Sequence, residues 1–159
     1  MDNKQLIFQD IDDLIVNLTK AFSAVSPNDL RDLMFFIKEF ANSHPMPDDT
    51  RISTDYVYPE GLEILNTDKI SDVLIQGIEK YKDLNYPKKE IPPVVVLRQG
   101  IRSIMIFGEM NAVEAYTREQ PLQAIILELD DLDIFETFGI DQRRLVFFVP
   151  YLQDQMGKK

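Results

Sequence analysis

The stretch Val94–Phe107, VVVLRQGIRSIMIF, decides the fold class of this chain. Two apolar runs, Val94–Arg98 and Ile101–Phe107, stand on either side of Gln99-Gly100. Short runs rich in β-branched residues are typical of strands, and a two-residue link with a glycine is typical of a tight hairpin. The sequence therefore predicts an antiparallel pair of strands. One alternative stays open, because the apolar residues between positions 101 and 116 also fit the spacing of one continuous helix.

The residues that follow the hairpin contain further strand-like runs and two predicted helices. Leu122–Leu129 and Leu145–Val149 are further strand-like runs, and for the second we favour a central position in the sheet over an edge position. Met110–Arg118 and Asp131–Phe138 are predicted as short helices. Together these segments indicate a mainly antiparallel C-terminal sheet of about four strands.

The N-terminal part has helical periodicity instead. Residues 2–25 carry apolar side chains four and three positions apart, which places them along one stripe of a long helix. Ser26 and Pro27 then suit the cap and first position of a second helix over about 27–42, folded back as a hairpin. Ile52–Tyr58 could form a short strand. A helical turn is expected around residues 59–65, and a further helix ends near Leu84.

These elements predict the α+β class, with an N-terminal helical hairpin and a further helix packed on the sheet. The helical half covers about residues 2–84 and the strand-rich half about residues 91–151, joined by the stiff segment Pro87–Pro93. A strand-rich half without helical cover would expose a large apolar face, so residues 1–159 are expected to form a single domain.

Composition and charge narrow the classes of function. The chain has 17 basic and 27 acidic residues, a formal net charge of −10, one histidine and no cysteine. Thiol catalysis and zinc–thiolate sites are excluded, and the isolated glycines form no phosphate-binding loop. The negative charge repels nucleic acids and anionic membranes and favours a partner with a basic surface. The N-terminus lacks a secretory pattern and the apolar runs are too short to span a bilayer, so we expect a cytoplasmic protein that uses no membrane.

Arginine dominates the strand-rich half, at positions 98, 102, 118, 143 and 144. Because a guanidinium forms planar, bidentate contacts with carboxylates and phosphates, these residues could form an internal set of ion pairs or a contact surface. An accident of composition explains their placement equally well.

The candidate contact residues include the densest group of carboxylates and two aromatic residues. The acids surround the end of the Leu122–Leu129 run, where they could dock a basic partner, cap the next helix, or gather magnesium or calcium. We expect no metal. The aromatic side chains stand off the main apolar stripe or at the end of a strand-like run. The full set is Glu128, Asp130, Asp131, Asp133, Glu136, Phe36 and Tyr151.

These features favour a non-enzymatic, acidic protein-binding factor, such as an adaptor, an inhibitor, an immunity-type or a chaperone-like protein. No catalytic residue and no cofactor are assigned. One rival hypothesis is an enzyme that uses carboxylates with magnesium near residues 128–133, with Glu109 close by. Another is a structural subunit of a larger assembly, and a homodimer is also compatible with the sequence.

Overall fold

The computed structural model describes residues 25–43, 51–65, 91–128 and 145–157, together with positions 16, 19, 20, 22 and 76. These residues form helices and a mixed sheet, which confirms the α+β class. The helices are α1 (Pro27–Ser43), α2 (Glu109–Arg118) and α3 (Phe148–Gly157), with a 3-10 turn at Pro59–Gly61. The strands are β1 (Arg51–Val57), β2 (Leu62–Leu65), β3 (Val94–Gln99), β4 (Arg102–Phe107), β5 (Leu122–Glu128) and β6 (Leu145–Phe147).

The described strands form one six-stranded sheet in the order β1-β5-β3-β4-β2-β6. Three neighbouring pairs are antiparallel: β1 with β5, β3 with β4, and β2 with β6. The other two pairs, β3 with β5 and β2 with β4, are parallel. Residues on both sides of Pro87–Pro93 therefore contribute strands to the same sheet.

Helix α1 covers one face of this sheet. Ser26 caps it as the sequence predicts, because the Ser26 Oγ accepts the backbone N–H of Asp29 at 3.1 Å. The buried residues of α1 stand three and four positions apart and pack on alternate residues of the central strands. Burial of each large aliphatic side chain contributes about 1.5–3 kcal/mol. The cluster contains Leu30, Leu33, Met34, Ile37, Val95, Leu97, Ile104, Ile125 and Leu127.

Helices α2 and α3 cover the opposite face. Here Val96 and Ile126 of the sheet pack with Ala112 of α2 and with Phe148 of α3, which is fully buried. Helix α2 begins after Gly108, whose φ is +99° and whose added Cβ would lie 2.9 Å from Val94 Cγ1. A glycine at this position therefore lets the start of α2 approach β3 closely.

The predicted hairpin is confirmed. Strands β3 and β4 are antiparallel, and Gln99 is the register partner of Arg102. The turn is Gly100-Ile101, one residue later than expected, with a φ of +60° at Gly100 and no positive φ at Ile101. This combination fits a type II′ turn, which suits the twist of a hairpin. Because a strand and then helix α2 occupy residues 102–118, the alternative of one continuous helix is wrong.

Two other segments differ from expectation. Leu62–Leu65 was expected in a helical turn but is a strand, because β4 and β6 pair with it on its two sides. Leu145–Val149 was expected as one central strand but is divided. Leu145–Phe147 form β6, which lies at one end of the described strand order, and Phe148 begins α3. Pro150 lies in the first turn of α3, where a proline is tolerated. The described sheet is thus mixed and six-stranded rather than mainly antiparallel with about four strands.

Several predicted helices lie outside the described residues, apart from isolated positions. These are the helix over residues 2–25, the helix that ends near Leu84 and the short helix Asp131–Phe138. The helical hairpin at the N-terminus therefore stays a prediction. Within the described parts of the chain, no helix combines the length and the apolar character that a bilayer crossing needs.

Candidate binding site

Glu128 is the member of the predicted acidic cluster that the structure describes. It is the last residue of β5, is half-buried, and has Arg98 of β3 as its register partner. The guanidinium of Arg98 itself pairs with Asp55, with Nη1 and Oδ2 3.3 Å apart. Outside the described residues lie the remaining acids, Asp130, Asp131, Asp133 and Glu136, so the cluster as a contact surface stays a prediction.

The enzyme hypothesis grouped Glu109 with the acids that follow β5. Glu109 follows β4, which is antiparallel to β3, whereas β5 is parallel to β3. Glu109 therefore lies at the end of the sheet where β5 begins, and Glu128 lies at the other end. Among the residues that the structure describes, no group of three or more histidines, aspartates and glutamates is placed to hold a metal ion.

Phe36 of α1 contacts a second element of the fold. Its ring centroid lies 4.6 Å from that of Phe107 in β4 and 5.9 Å from that of Phe40. The adjacent Phe35 is far more open to solvent, at 63% exposure. Phe36 is thus held against the core, and its contact with a partner stays a prediction.

Tyr151 lies in α3 rather than at the end of a strand. It is half-buried and packs against the apolar cluster beneath α2 and α3. Its role in contacting a partner also stays a prediction.

Three of the five arginines of the strand-rich half form ion pairs within the described residues. Arg102 binds Glu63 with two hydrogen bonds, from Nε at 2.9 Å and from Nη2 at 2.8 Å. Arg118 lies 3.4 Å from Glu114, one helical turn earlier. Arg98 lies 3.3 Å from Asp55. An internal set of ion pairs therefore accounts for these three residues.

A cleft of about 570 Å³ opens between the 3-10 turn and the C-terminal end of α2. The fold creates it because the turn packs against both α2 and α3, so that a segment preceding β2 faces a helix from much later in the chain. We call it the tyrosine cleft. Among the residues that the structure describes, it is lined by Tyr58, Glu60, Ala115, Tyr116, Thr117, Glu119 and Gln120.

Glu119 gives the cleft its most unusual backbone. Its φ of 56° and ψ of 48° are left-handed, and it is the one non-glycine residue with a positive φ in the described part of the chain. Its N–H donates to the carbonyls of Ala115 and Tyr116, and the N–H of Gln120 donates to the Ala115 carbonyl at 3.1 Å. This is the Schellman arrangement, in which glycine usually occupies the position of Glu119.

A glutamate is unfavourable there for two reasons. A left-handed conformation costs an L-residue with a Cβ about 1–2 kcal/mol. The carboxylate also stands at the negative end of the helix dipole, an unfavourable interaction of about 0.3–1 kcal/mol. Glycine would make the same backbone hydrogen bonds without either cost.

The two tyrosines provide aromatic surface on opposite sides of the cleft. Tyr58 is 64% exposed, and its carbonyl accepts the N–H of Gly61 at 2.9 Å, which closes the 3-10 turn. The Tyr116 hydroxyl accepts a hydrogen bond from Gln153 Nε2 of α3 at 3.0 Å. Tyr116 is therefore positioned by a neighbouring helix, whereas the ring of Tyr58 is open to a ligand.

These groups together suit a positively charged ligand. Glu60 and Glu119 supply carboxylates, the last carbonyls of α2 add negative potential, and the part of the lining that the structure describes contains no lysine or arginine. An aromatic face next to carboxylates binds a guanidinium or ammonium group through both cation–π and ionic contacts. The volume of the cleft falls in the range of about 300–1,000 Å³ that is usual for ligand pockets.

Comparison with known proteins adds no relative. No protein-family model, no curated protein and no solved structure matches the chain.

Sequence reasoning did not find the residues of the cleft. Glu60 and Glu119 are far apart in the chain, and each looks like an ordinary surface acid. One local signal was available: the helix predicted to end at Arg118 is followed by Glu119 rather than by the glycine or asparagine that usually ends such a helix.

Proposed function

We propose that the chain is a non-enzymatic protein-binding factor that holds a basic segment of a protein partner in the tyrosine cleft. The observation that carries the proposal is Glu119. Its left-handed backbone and its carboxylate at the end of α2 both reduce stability, and a purely structural C-cap needs neither. Strain of this kind that persists at the edge of a cleft is typical of a functional position.

Charge supports the same proposal. Glu60 and Glu119 stand in a chain whose formal net charge is −10. Such a field accelerates the approach of a basic protein and is screened by salt. The exposed ring of Tyr58 offers a lysine or arginine of the partner a cation–π contact, which water cannot provide.

The biological form of this binding would be that of an adaptor, an inhibitor, an immunity-type protein or a chaperone-like factor in the cytoplasm. In this proposal the acids at 128–136 and Tyr151 form a second zone of contact for the same partner. Phe36 packs on the opposite face of the sheet from α2, and its contact with a partner is a separate prediction. The cleft supplies the specific contact, and the remaining acids strengthen the general attraction.

A titration with a labelled arginine-rich peptide, followed by fluorescence anisotropy, tests the proposal. The double variant Glu60→Gln/Glu119→Gln removes both carboxylates of the cleft and leaves its shape unchanged. If each exposed ionic contact is worth about 0.2–1 kcal/mol, affinity should fall by about 2- to 30-fold. Added salt should weaken the binding of the unmodified chain more than that of the variant.

The matched control removes two charges from the opposite face. Asp32→Asn/Glu39→Gln alters two exposed acids of α1 and changes the net charge by the same amount. It should leave affinity within about twofold, since distant exposed charges are largely screened. Equal losses in the two double variants would mean that only net charge matters, and the cleft would then be rejected as the site.

A further inference from the structure

Strand β1 lies at one end of the sheet order and, among the described residues, pairs only with β5. The other side of an edge strand presents a row of backbone N–H and C=O groups that can pair with a further strand. Natural edge strands are commonly protected by a proline, a charged side chain, above all lysine, or a bulge. β1 is seven residues long, contains no proline or lysine, and pairs with β5 in an unbroken register. Its charged residues are Arg51 and Asp55, and Asp55 Oδ1 accepts the backbone N–H of Tyr56 at 2.8 Å, a bond that pairing through this N–H would replace.

The sequence of β1 is complementary to itself when it is reversed. In an antiparallel pair of two β1 strands centred on Thr54, Thr54 meets Thr54 and Ile52 meets Tyr56. Pairs of threonines and pairs of a β-branched with an aromatic residue are favourable cross-strand neighbours. In the same register Ser53 meets Asp55 and Arg51 meets Val57, so no two like charges stand directly opposite each other. About such a two-fold axis each of the off-axis contacts occurs twice, and Thr54 meets its own copy once.

The charge and the exposed surface of β1 fit the same arrangement. Asp55 has its own counterion, since its Oδ2 lies 3.3 Å from Arg98 Nη1 of the same chain. Tyr56 is 60% exposed, and its hydroxyl accepts a hydrogen bond from Gln123 Nε2 at 3.4 Å. That hydrogen bond draws the Tyr56 hydroxyl toward β5, and the exposed remainder of the ring is the surface that the Ile52 of a second chain would cover.

We propose that two copies of this chain associate through β1, antiparallel and about a two-fold axis at Thr54, to form one sheet that continues across both copies. This goes beyond the proposed binding function and does not depend on it, because none of the residues of β1 lines the tyrosine cleft. Such a dimer presents two clefts, so that a partner with two basic segments would gain avidity.

Sedimentation equilibrium over a range of protein concentrations tests the proposal with the full chain. The unmodified chain should show a concentration-dependent change from monomer to dimer. Thr54→Lys and Thr54→Glu each place two like charges at the axis and should raise the dimer dissociation constant by about fivefold or more. Thr54 is an exposed side chain, so both variants should keep the circular dichroism spectrum of the original chain.

An equimolar mixture of the two Thr54 variants provides the decisive readout. Lysine then meets glutamate at the axis, so the mixture should form a heterodimer although neither variant dimerises well alone. Asn28→Lys, at an exposed position of α1, is the matched control and should dimerise like the unmodified chain. A chain that stays monomeric at every concentration, or Thr54 variants that dimerise unchanged, would overturn the proposal.

Discussion

The ring of Phe36 in α1 stacks on the ring of Phe107 in β4, with centroids 4.6 Å apart and ring planes inclined by 28°. This contact joins the helix that covers one face of the sheet to the last residue of a central strand. Stacked aromatic pairs contribute about 0.5–1.5 kcal/mol beyond the burial of their surface. Phe36 is therefore part of what holds α1 in place.

We expect Phe36→Ala to lower the free energy of unfolding by about 2 kcal/mol, less than a fully buried phenylalanine because the ring is partly open to solvent. The adjacent Phe35→Ala removes the same side chain from an exposed position and should change it by less than about 0.5 kcal/mol. Denaturant unfolding of the two variants measures the difference. Equal losses would show that the stack contributes nothing specific.

Glu119→Gly should make the protein more stable and a poorer binder. Relief of the left-handed strain and of the unfavourable dipole contact outweighs the entropy that a glycine loses on folding, for a net gain of about 0.5–1 kcal/mol. For a chain of this size that corresponds to an increase in Tm of about 1–4 °C. The Tm measured by thermal unfolding should rise, and the affinity measured in the arginine-rich peptide titration should fall. A loss of stability would contradict the strain on which the proposed function relies.

Gly108→Ala should be strongly destabilising. An added Cβ would lie 2.9 Å from Val94 Cγ1 and 3.2 Å from Val94 Cα, at a backbone φ of +99°. Left-handed strain and overpacking together should cost about 2–4 kcal/mol. Gly61→Ala is the control, since an added Cβ there would meet no atom within 4 Å and the φ of Gly61 is not positive. Denaturant unfolding should place the Gly61 variant within about 0.5 kcal/mol of the original chain.

The ion pair between Arg102 and Glu63 should be worth more than the pair between Arg98 and Asp55. The first is bidentate and the Glu63 side chain is only 13% exposed, whereas the second rests on one 3.3 Å contact to a carboxylate that is 56% exposed. Double-mutant cycles with neutral replacements should give a coupling energy of about 1 kcal/mol for the first pair and about 0.3 kcal/mol for the second. The reverse order would contradict this account.

Local sequence patterns predicted the elements that one stretch of chain specifies by itself. The β3–β4 hairpin follows from its apolar runs and a glycine turn, and α1 follows from its cap at Ser26 and its periodic apolar face. Strand β2 could not be recognised in this way. Leu62, Ile64 and Leu65 fit a helical turn or a strand equally well, and only pairing with β4 and β6 decides between them.

The same distinction explains why the candidate site was missed. Sequence reasoning favours acids that are close together in the chain, such as those from Glu128 to Glu136. The tyrosine cleft instead joins Glu60 to Glu119 through the packing of the 3-10 turn against α2. Nothing in a single sequence reports that contact, although the absence of a glycine after Arg118 marked an unusual helix end.

The strand order affects folding during synthesis on the ribosome, because strands that are distant in the chain are neighbours in the described sheet. Within the described sheet, β1 pairs only with β5, and β2 only with β4 and β6, so neither of the strands made first has a neighbour until Arg102 and later residues have been synthesised. A nascent chain interrupted before that point would carry two unsatisfied strands and an uncovered α1. Release from the ribosome too early would therefore yield an aggregation-prone product rather than a smaller folded one.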